Sequence, residues 1–181
     1  MSRKYKFHNK QGLYFVSFAT VYWLDIFTRQ VYLEVLAESV DYCRANKGME
    51  LYAYCFMPSH IHFIFRSANE QPMELLRDFK RHTAKKVIEA IENNPQESRK
   101  EWLLSVMLEA GKKNSKKQTY QLWRNDNHPI ELYNPETTIQ KLNYIHNNPV
   151  EAGIAERPEE YIYSSAKNYA GELGILKVKL I

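Results

Sequence analysis

The sequence has little of what several classes of protein require. It holds only two cysteines, Cys43 and Cys55, whose spacing fits neither a disulfide framework nor a zinc site. No run approaches the roughly 20 apolar residues that a membrane span needs. The basic N-terminus leads into no apolar signal segment. With only 6 glycines and 7 prolines, the chain is not collagen-like or of low complexity. We therefore expect a soluble, cytoplasmic protein that does not act at a membrane.

The composition is that of a globular protein whose charge is unevenly distributed along the chain. Hydrophobic residues make up 44% of the chain, and 181 residues suit a single domain over residues 1–181. Residues 72–124 hold 12 Lys or Arg against 7 Asp or Glu, while the whole chain carries +4. A local positive excess is typical of a surface that binds a polyanion, although basic helices are also often merely solvated.

The hydrophobic pattern predicts alternating strands and helices. Strands are predicted over residues 12–21, 49–57, 60–67, 119–124 and 128–133, and helices over 30–47, 72–93, 98–110 and 134–147. Pro58 belongs in the turn between the second and third strands, because proline cannot donate to a strand ladder. This order predicts an α+β fold, a ferredoxin-like antiparallel sheet with helices packed on one face.

Residues 57–65, MPSHIHFIF, carry the strongest local chemical signal. In a strand, residues two apart point to the same side, so His60 and His62 face one way while Ile61 faces the core. Two imidazoles placed in this way can close on one metal ion. The pair is also compatible with two surface or hydrogen-bonded histidines, but its position at the start of an apolar strand favours a ligand pair.

A tyrosine on the last predicted helix provides the second signal. On a helical wheel, Ile139, Leu142 and Ile145 form the apolar stripe, and Tyr144 lies roughly opposite its centre. A tyrosine turned away from the helix's own apolar stripe is not needed for core packing, so it is available for chemistry.

Asn148 follows Tyr144 by one helical turn and has two interpretations. It shares the side of Tyr144 if the helix continues that far, which would make it a candidate metal ligand. However, residues 148–151, Asn-Pro-Val-Glu, are also typical of the N-cap, first-turn proline and third-position glutamate of a new helix. Both interpretations stay open from the spacing alone.

Four stretches, in order along the chain, resemble the HUH-superfamily single-tyrosine transposases, most of all the REP-associated tyrosine transposases. They are residues 58–62 (PSHIH), 77–83 (RDFKRHT), 144–153 (YIHNNPVEAG) and 161–165 (YIYSS). The resemblance implies a ferredoxin-like sheet with the histidine pair on a central strand and the tyrosine on a C-terminal helix.

The same resemblance implies a metal-dependent endonuclease and strand-transferase that acts on single-stranded DNA at hairpins. Tyr144 would be the nucleophile, and its attack would leave a 5′-phosphotyrosine and a free 3′-OH that can later exchange strands without ATP. His60 and His62 would hold Mg²⁺ or Mn²⁺. Asn148 would be the third ligand, at a place where much of the wider family has glutamine. Relatives include monomers and dimers, so the resemblance is compatible with a homodimer.

Basic residues of the middle segment are expected to contact DNA phosphates. The candidates are Arg77, Lys80, Arg81, Lys85, Lys112, Lys113, Lys116 and Lys117. Trp123 and Arg124 are candidates for stacking on unpaired bases. His82 and His128 are interpreted as structural histidines, and His146 receives no role.

Two other functions also fit these residues. A non-catalytic hairpin-binding domain on the same fold would keep the basic helix but would not need Tyr144. A metal-dependent phosphodiesterase would use activated water and leave Tyr144 structural. Formation of a covalent protein–DNA adduct separates both from a tyrosine nucleophile.

Overall fold

The computed structural model describes residues 6–114 and 119–181. Its strands are β1 (Tyr14–Ala19), β2 (Met49–Phe56), β3 (His60–Ser67) and β4 (Ile130–Glu131). Its helices are α1 (Gln30–Asn46), α2 (Pro72–Asn93), α3 (Lys100–Lys113), α4 (Pro135–Glu151) and α5 (Ala166–Tyr169). Within these two ranges, no helix combines the length and hydrophobicity required to span a lipid bilayer.

The four strands form one antiparallel sheet in the order β2-β3-β1-β4. This confirms the predicted α+β fold. Strand β3 is internal, so His62 pairs with Ser17 of β1 on one side and with Cys55 of β2 on the other. The turn before β3 contains Pro58, as predicted, and is closed by the amide of Met57 donating to the carbonyl of His60.

Helices cover both faces of this sheet, whereas the sequence predicted them on one face only. Helices α1 and α2 pack on the face that carries Phe63, and their side chains join one large apolar cluster with it. Helix α4 packs on the opposite face, where Ile145 meets Ile64 and Phe15 in a second cluster. A strand covered on both faces is apolar at successive positions, and β3 has this pattern after His62. His60 and His62 lie on the same side as Ile64, and therefore face α4.

Helix α4 begins at Asn134 and Pro135, as predicted, but ends later than predicted. Its N-cap is Asn134, whose side-chain oxygen accepts the amide of Thr137 at 2.7 Å. The helix continues through Pro149 and ends at Glu151, four residues past the predicted end. Gly153, which follows soon after, has a φ of +68°. The longer helix brings Pro149 onto the buried stripe, while Ile139, which the wheel placed in the core, is 55% exposed.

The segment predicted as a strand over residues 119–124 forms only an isolated bridge to the end of β1, between Thr20 and Trp123. The Trp123 indole is buried, stacks on Phe27, and donates its N–H to Thr83 Oγ1 at 3.0 Å. The prediction that Trp123 stacks on DNA bases is therefore wrong, because its ring belongs to the core. Arg124, the next residue, keeps an exposed side chain.

Candidate active site

The two histidines of β3 lie side by side, with ring centroids 4.8 Å apart. His62 is only 1% exposed, and neither of its ring nitrogens has a hydrogen-bond partner within the described part of the chain. Its ring stacks on Phe15. His60 is half-buried, with Nδ1 3.2 Å from Ser59 Oγ and Nε2 3.3 Å from the Asn148 side-chain oxygen.

The surroundings keep both imidazoles neutral at pH 7. Burial lowers the pKa of His62 to about 3, and the charges of His60 and Lys141 act in the same direction. Burial also lowers the pKa of His60, although the hydrogen bond with Asn148 opposes this. Neutral imidazoles present lone pairs, and a buried pair of unpartnered ring nitrogens is costly unless something binds them. A divalent cation would satisfy them, so these residues fit a metal.

Asn148 completes the candidate ligand set. Because α4 continues past it to Glu151, Asn148 does not cap a new helix, and that interpretation is wrong. Its side chain reaches from α4 to His60 on β3 instead. Among residues 6–114 and 119–181, no three His, Cys, Asp or Glu side chains form a metal site. The set available here is two imidazoles and one amide.

Replacing Asn148 and Asn134 by alanine should distinguish a metal ligand from a helix cap. Asn148 is the candidate ligand and Asn134 is the N-cap of the same helix, α4. Asn134→Ala should lower the free energy of unfolding by about 1 kcal/mol, because a helix amide loses its partner. Asn148→Ala should change it by less than about 0.5 kcal/mol but weaken Mn²⁺ binding by about tenfold or more. Urea unfolding in the presence of a chelator measures the free energy of unfolding, and titration calorimetry with Mn²⁺ measures metal binding. Equal losses of stability would contradict the assignment.

Tyr144 lies beside the histidines, on the flank of α4. Its ring meets His62 edge-to-face at 5.2 Å between centroids and Phe15 at 5.9 Å, and the residue stays 39% exposed. Burial raises the pKa of the Tyr144 phenol, the charge of Glu151 raises it further, and a hydrogen bond with Asn148 lowers it. These neighbours hold the ring in place without making it a phenolate.

Lys141 and Trp23 also border this site, and neither was identified from the sequence. The ammonium of Lys141 lies 5.5 Å from the ring centroid of Tyr144 and 5.0 Å from that of Phe15. Its position three residues before Tyr144 is a sequence signal that could have found it, since such residues are neighbours on a helix. Trp23 contacts the ring of His60, and only the fold brings these two together.

His146 ties the helix that carries Tyr144 to the sheet. It is buried, and its Nε2 lies 2.9 Å from Ser165 Oγ, which in turn accepts the amide of Tyr54 at 3.0 Å. This network gives His146 a structural role. His128 contacts Asp126 instead, with its Nε2 2.8 Å from the Asp126 carboxylate.

The cations predicted to bind DNA are not close to Tyr144. Arg77, Arg81 and Lys85 have side chains that are 63%, 78% and 75% exposed, but they lie on α2, which covers the opposite face of the sheet. Lys112 and Lys113 are exposed in the last turn of α3, which packs against α2. Lys116 and Lys117 lie outside the described residues.

Lys80 has a structural role in place of the predicted phosphate contact. Its ammonium donates to the carbonyl of Arg124 at 2.7 Å and to the side chain of Asn127 at 2.5 Å. It also lies 5.0 Å from the ring centroid of Phe18. Burial lowers the pKa of Lys80 to about 7. Lys80 therefore fastens the segment around residues 124–127 to α2.

Comparisons with known proteins agree with this architecture. Residues 10–121, which include both histidines but not Tyr144, match the model of the IS200-like transposases. The solved structure of a REP-associated tyrosine transposase bound to a REP hairpin is similar, with a TM-score of 0.61 and 15% identity over 100% of this chain and 94% of that chain. A putative transposase from Deinococcus radiodurans R1 gives a TM-score of 0.45 and 18% identity over 81% of this chain and 95% of that chain. No curated protein matches the sequence.

Proposed function

Because this chain belongs to the IS200-like transposase family, we propose that it is a metal-dependent single-stranded DNA endonuclease and strand-transferase. It acts at hairpin-bearing DNA through a 5′-phosphotyrosine intermediate. The observation that supports this most directly is the contact of the Tyr144 ring with His62, whose buried ring nitrogens have no partner in the described chain.

His60, His62 and Asn148 would hold the metal. Two neutral imidazole nitrogens and an amide oxygen suit Mn²⁺ or Mg²⁺ better than structural zinc, and they leave further coordination sites open. A cation bound there would withdraw negative charge from the oxygens of the scissile phosphate.

Tyr144 is the proposed nucleophile. Its phenolic oxygen forms a bond to phosphorus, the bond from phosphorus to the 3′ oxygen breaks, and the 3′ oxygen takes a proton from water. Because Tyr144 is partly exposed, water can also accept the phenolic proton. A 3′-OH that later attacks the phosphotyrosine reverses these bond changes, so strands are exchanged without ATP.

Lys141 and the aromatic neighbours prepare Tyr144 for this attack. An ordinary tyrosine, with a pKa of about 10, is phenolate to only about one part in a thousand at neutral pH. The surroundings of Tyr144 raise its pKa further, so charge must be balanced elsewhere. Lys141 brings a positive charge against the ring, while Phe15 and His62 fix its direction. Positioning and charge stabilisation are what phosphoryl transfer requires.

Hairpin-bearing DNA is the proposed substrate, as the similar solved structure holds a REP hairpin. The exposed cations of α2 and the end of α3 would contact phosphates remote from the cleaved one, since Tyr144 lies on the other face of the sheet. They are Arg77, Arg81, Lys85, Lys112 and Lys113, and we extend this proposal to Lys116 and Lys117.

The experiment that tests the function is a search for the covalent adduct. Hairpins with randomised single-stranded flanks and a 3′-end label are incubated with the protein and Mn²⁺, then separated under denaturing conditions. We expect label attached to the protein and a modified peptide that contains Tyr144. Binding without cleavage would favour the non-catalytic domain, and cleavage without adduct would favour a phosphodiesterase that uses water.

Lys80→Met should lower stability without changing the salt dependence of DNA binding, whereas Arg81→Gln should do the reverse. Lys80→Met should lower the free energy of unfolding by about 1–3 kcal/mol, because Arg124 and Asn127 lose the charged donor that joins them to α2. Arg81→Gln should leave stability within about 0.5 kcal/mol, since its pair with Asp78 is exposed. It should also make the slope of log K against log salt shallower by about 0.9 per lost duplex phosphate contact.

Urea unfolding and fluorescence anisotropy with hairpin DNA measure these two quantities. A Lys80→Met variant of unchanged stability but reduced salt slope would restore Lys80 as a phosphate contact. An unchanged salt slope in Arg81→Gln would remove Arg81 from the DNA path.

A further inference from the structure

The turn after β1 holds two exposed aromatic residues in an unusual backbone conformation. Tyr22 and Trp23 have φ of +53° and +56°, and their side chains are 56% and 54% exposed. The left-handed conformation is energetically unfavourable for a non-glycine residue. Neither ring recovers this cost by entering the core. Such conformations persist where the surrounding structure imposes them, often at sites of function.

This strained turn is braced directly against the turn that precedes His60. The amide of Thr20 donates to the carbonyl of Ser59 at 2.9 Å, and its hydroxyl donates to the carbonyl of Leu24, also at 2.9 Å. The amide of Trp23 donates back to the carbonyl of Thr20 at 3.2 Å. The Trp23 indole is thereby fixed edge-to-face against the His60 ring, with 5.5 Å between centroids.

Arg124 adds a positive charge to the same place. Its backbone amide donates to the carbonyl of Ala19 at 2.9 Å, which fastens it beside the end of β1. Its guanidinium carbon lies 5.8 Å from the centroid of the Trp23 ring. The Arg124 side chain is 44% exposed and forms a loose ion pair with Asp126 at 3.5 Å. An exposed indole and a guanidinium therefore stand together beside a candidate metal ligand.

We propose that Trp23 and Arg124 form a stacking subsite for one unpaired nucleobase of the DNA strand, next to the phosphate that Tyr144 attacks. This inference rests on the proposed function, because it takes single-stranded DNA as the ligand. Indole faces stack on any base, so the subsite positions the strand without reading its sequence. Arg124 contacts the adjacent backbone phosphate, since guanidinium groups match phosphate geometry.

Trp102 provides a matched control, because it is also 54% exposed. It lies on α3, which packs against α2, on the opposite face of the sheet from Tyr144. The test measures binding of a short oligothymidylate and of an abasic oligomer with the same number of phosphates. Trp23→Ala should bind oligothymidylate roughly tenfold more weakly and the abasic oligomer as well as wild type does. Trp102→Ala should match wild type with both. Equal weakening of both oligomers, or no weakening, would overturn the subsite.

A second measurement does not depend on the alanine variant. In Trp102→Phe protein, the remaining indoles are the exposed Trp23 and the buried Trp123. Oligothymidylate should quench the exposed component of the fluorescence, whereas the abasic oligomer should leave it unchanged. Absence of quenching at saturating oligothymidylate would overturn the inference.

The adduct assay distinguishes failure of the subsite from failure of the proposed function. If oligothymidylate quenches Trp23 but wild-type protein forms no adduct with any hairpin, the subsite stands and the enzymatic function falls. If the adduct forms and Trp23→Ala needs no more DNA than wild type for half-maximal yield, the function stands and the subsite falls.

Discussion

Tyr144→Phe is expected to abolish cleavage and adduct formation together, with a loss on the order of 10⁴-fold or more. The phenylalanine ring keeps the contacts with His62 and Phe15 but lacks the oxygen that forms the bond to phosphorus. Because Tyr144 is 39% exposed, losing the hydroxyl should change the free energy of unfolding by less than about 0.5 kcal/mol. Single-turnover cleavage of labelled hairpin DNA and urea unfolding measure the two effects.

Tyr133→Phe is the matched control for this substitution. Tyr133 lies just before the N-cap of α4 and is 83% exposed, so its variant should cleave DNA like the wild type. Cleavage without adduct by Tyr144→Phe would assign the nucleophile to water. An adduct mapped to any of the other 12 tyrosines among the chain's 13 would transfer the role to that residue.

The positions of His60, His62 and Tyr144 could be anticipated because they follow from local periodicity. Two residues apart on a strand share a side, whatever the rest of the fold does. The helical wheel likewise kept Tyr144 off the buried stripe, although it misplaced Ile139. The neighbours Phe15 and Trp23 could not be found in this way, because their contacts with the histidines depend on the pairing of β1 with β3.

Asn148 shows how a tertiary contact can override a local signal. The Asn-Pro pair is typical of a helix start, but here α4 continues through Pro149, and the buried Pro149 packs on its inner stripe. The Asn148 side chain is then free to reach His60 on β3. The sequence around residues 148–151 gives no indication of this contact, because His60 lies 88 positions earlier in the chain.

The charge pattern located a basic segment but not the face of the sheet on which it lies. A count of Lys and Arg residues cannot show that the Lys80 ammonium is hydrogen-bonded to Arg124 and Asn127. Nor does the order of elements reveal that α2 and α4 cover opposite faces. This is why the residues predicted to bind DNA are remote from Tyr144, and why Lys141, outside the basic segment, is the cation on its ring.

His62→Leu should abolish metal-dependent cleavage without destabilising the metal-free protein. Both ring nitrogens of His62 are buried without partners in the described chain. Replacing them with apolar atoms of similar volume removes an uncompensated desolvation cost, so stability should stay the same or rise by about 1 kcal/mol. Saturation with Mn²⁺ at about 100 times its Kd should stabilise wild-type protein by about 2.7 kcal/mol, and His62→Leu should lose most of this stabilisation.

His146→Leu is the matched control for His62→Leu. His146 is also a buried, neutral histidine, whose pKa burial lowers to about 4, but its Nε2 is hydrogen-bonded to Ser165. Its loss should cost about 1–3 kcal/mol in the metal-free protein, because Ser165 loses a buried partner. Urea unfolding with a chelator and then with Mn²⁺ measures both variants. If His62→Leu were as destabilised as His146→Leu, the His62 nitrogens would have a structural partner. If Mn²⁺ stabilised His62→Leu as much as wild type, His62 would not be a metal ligand.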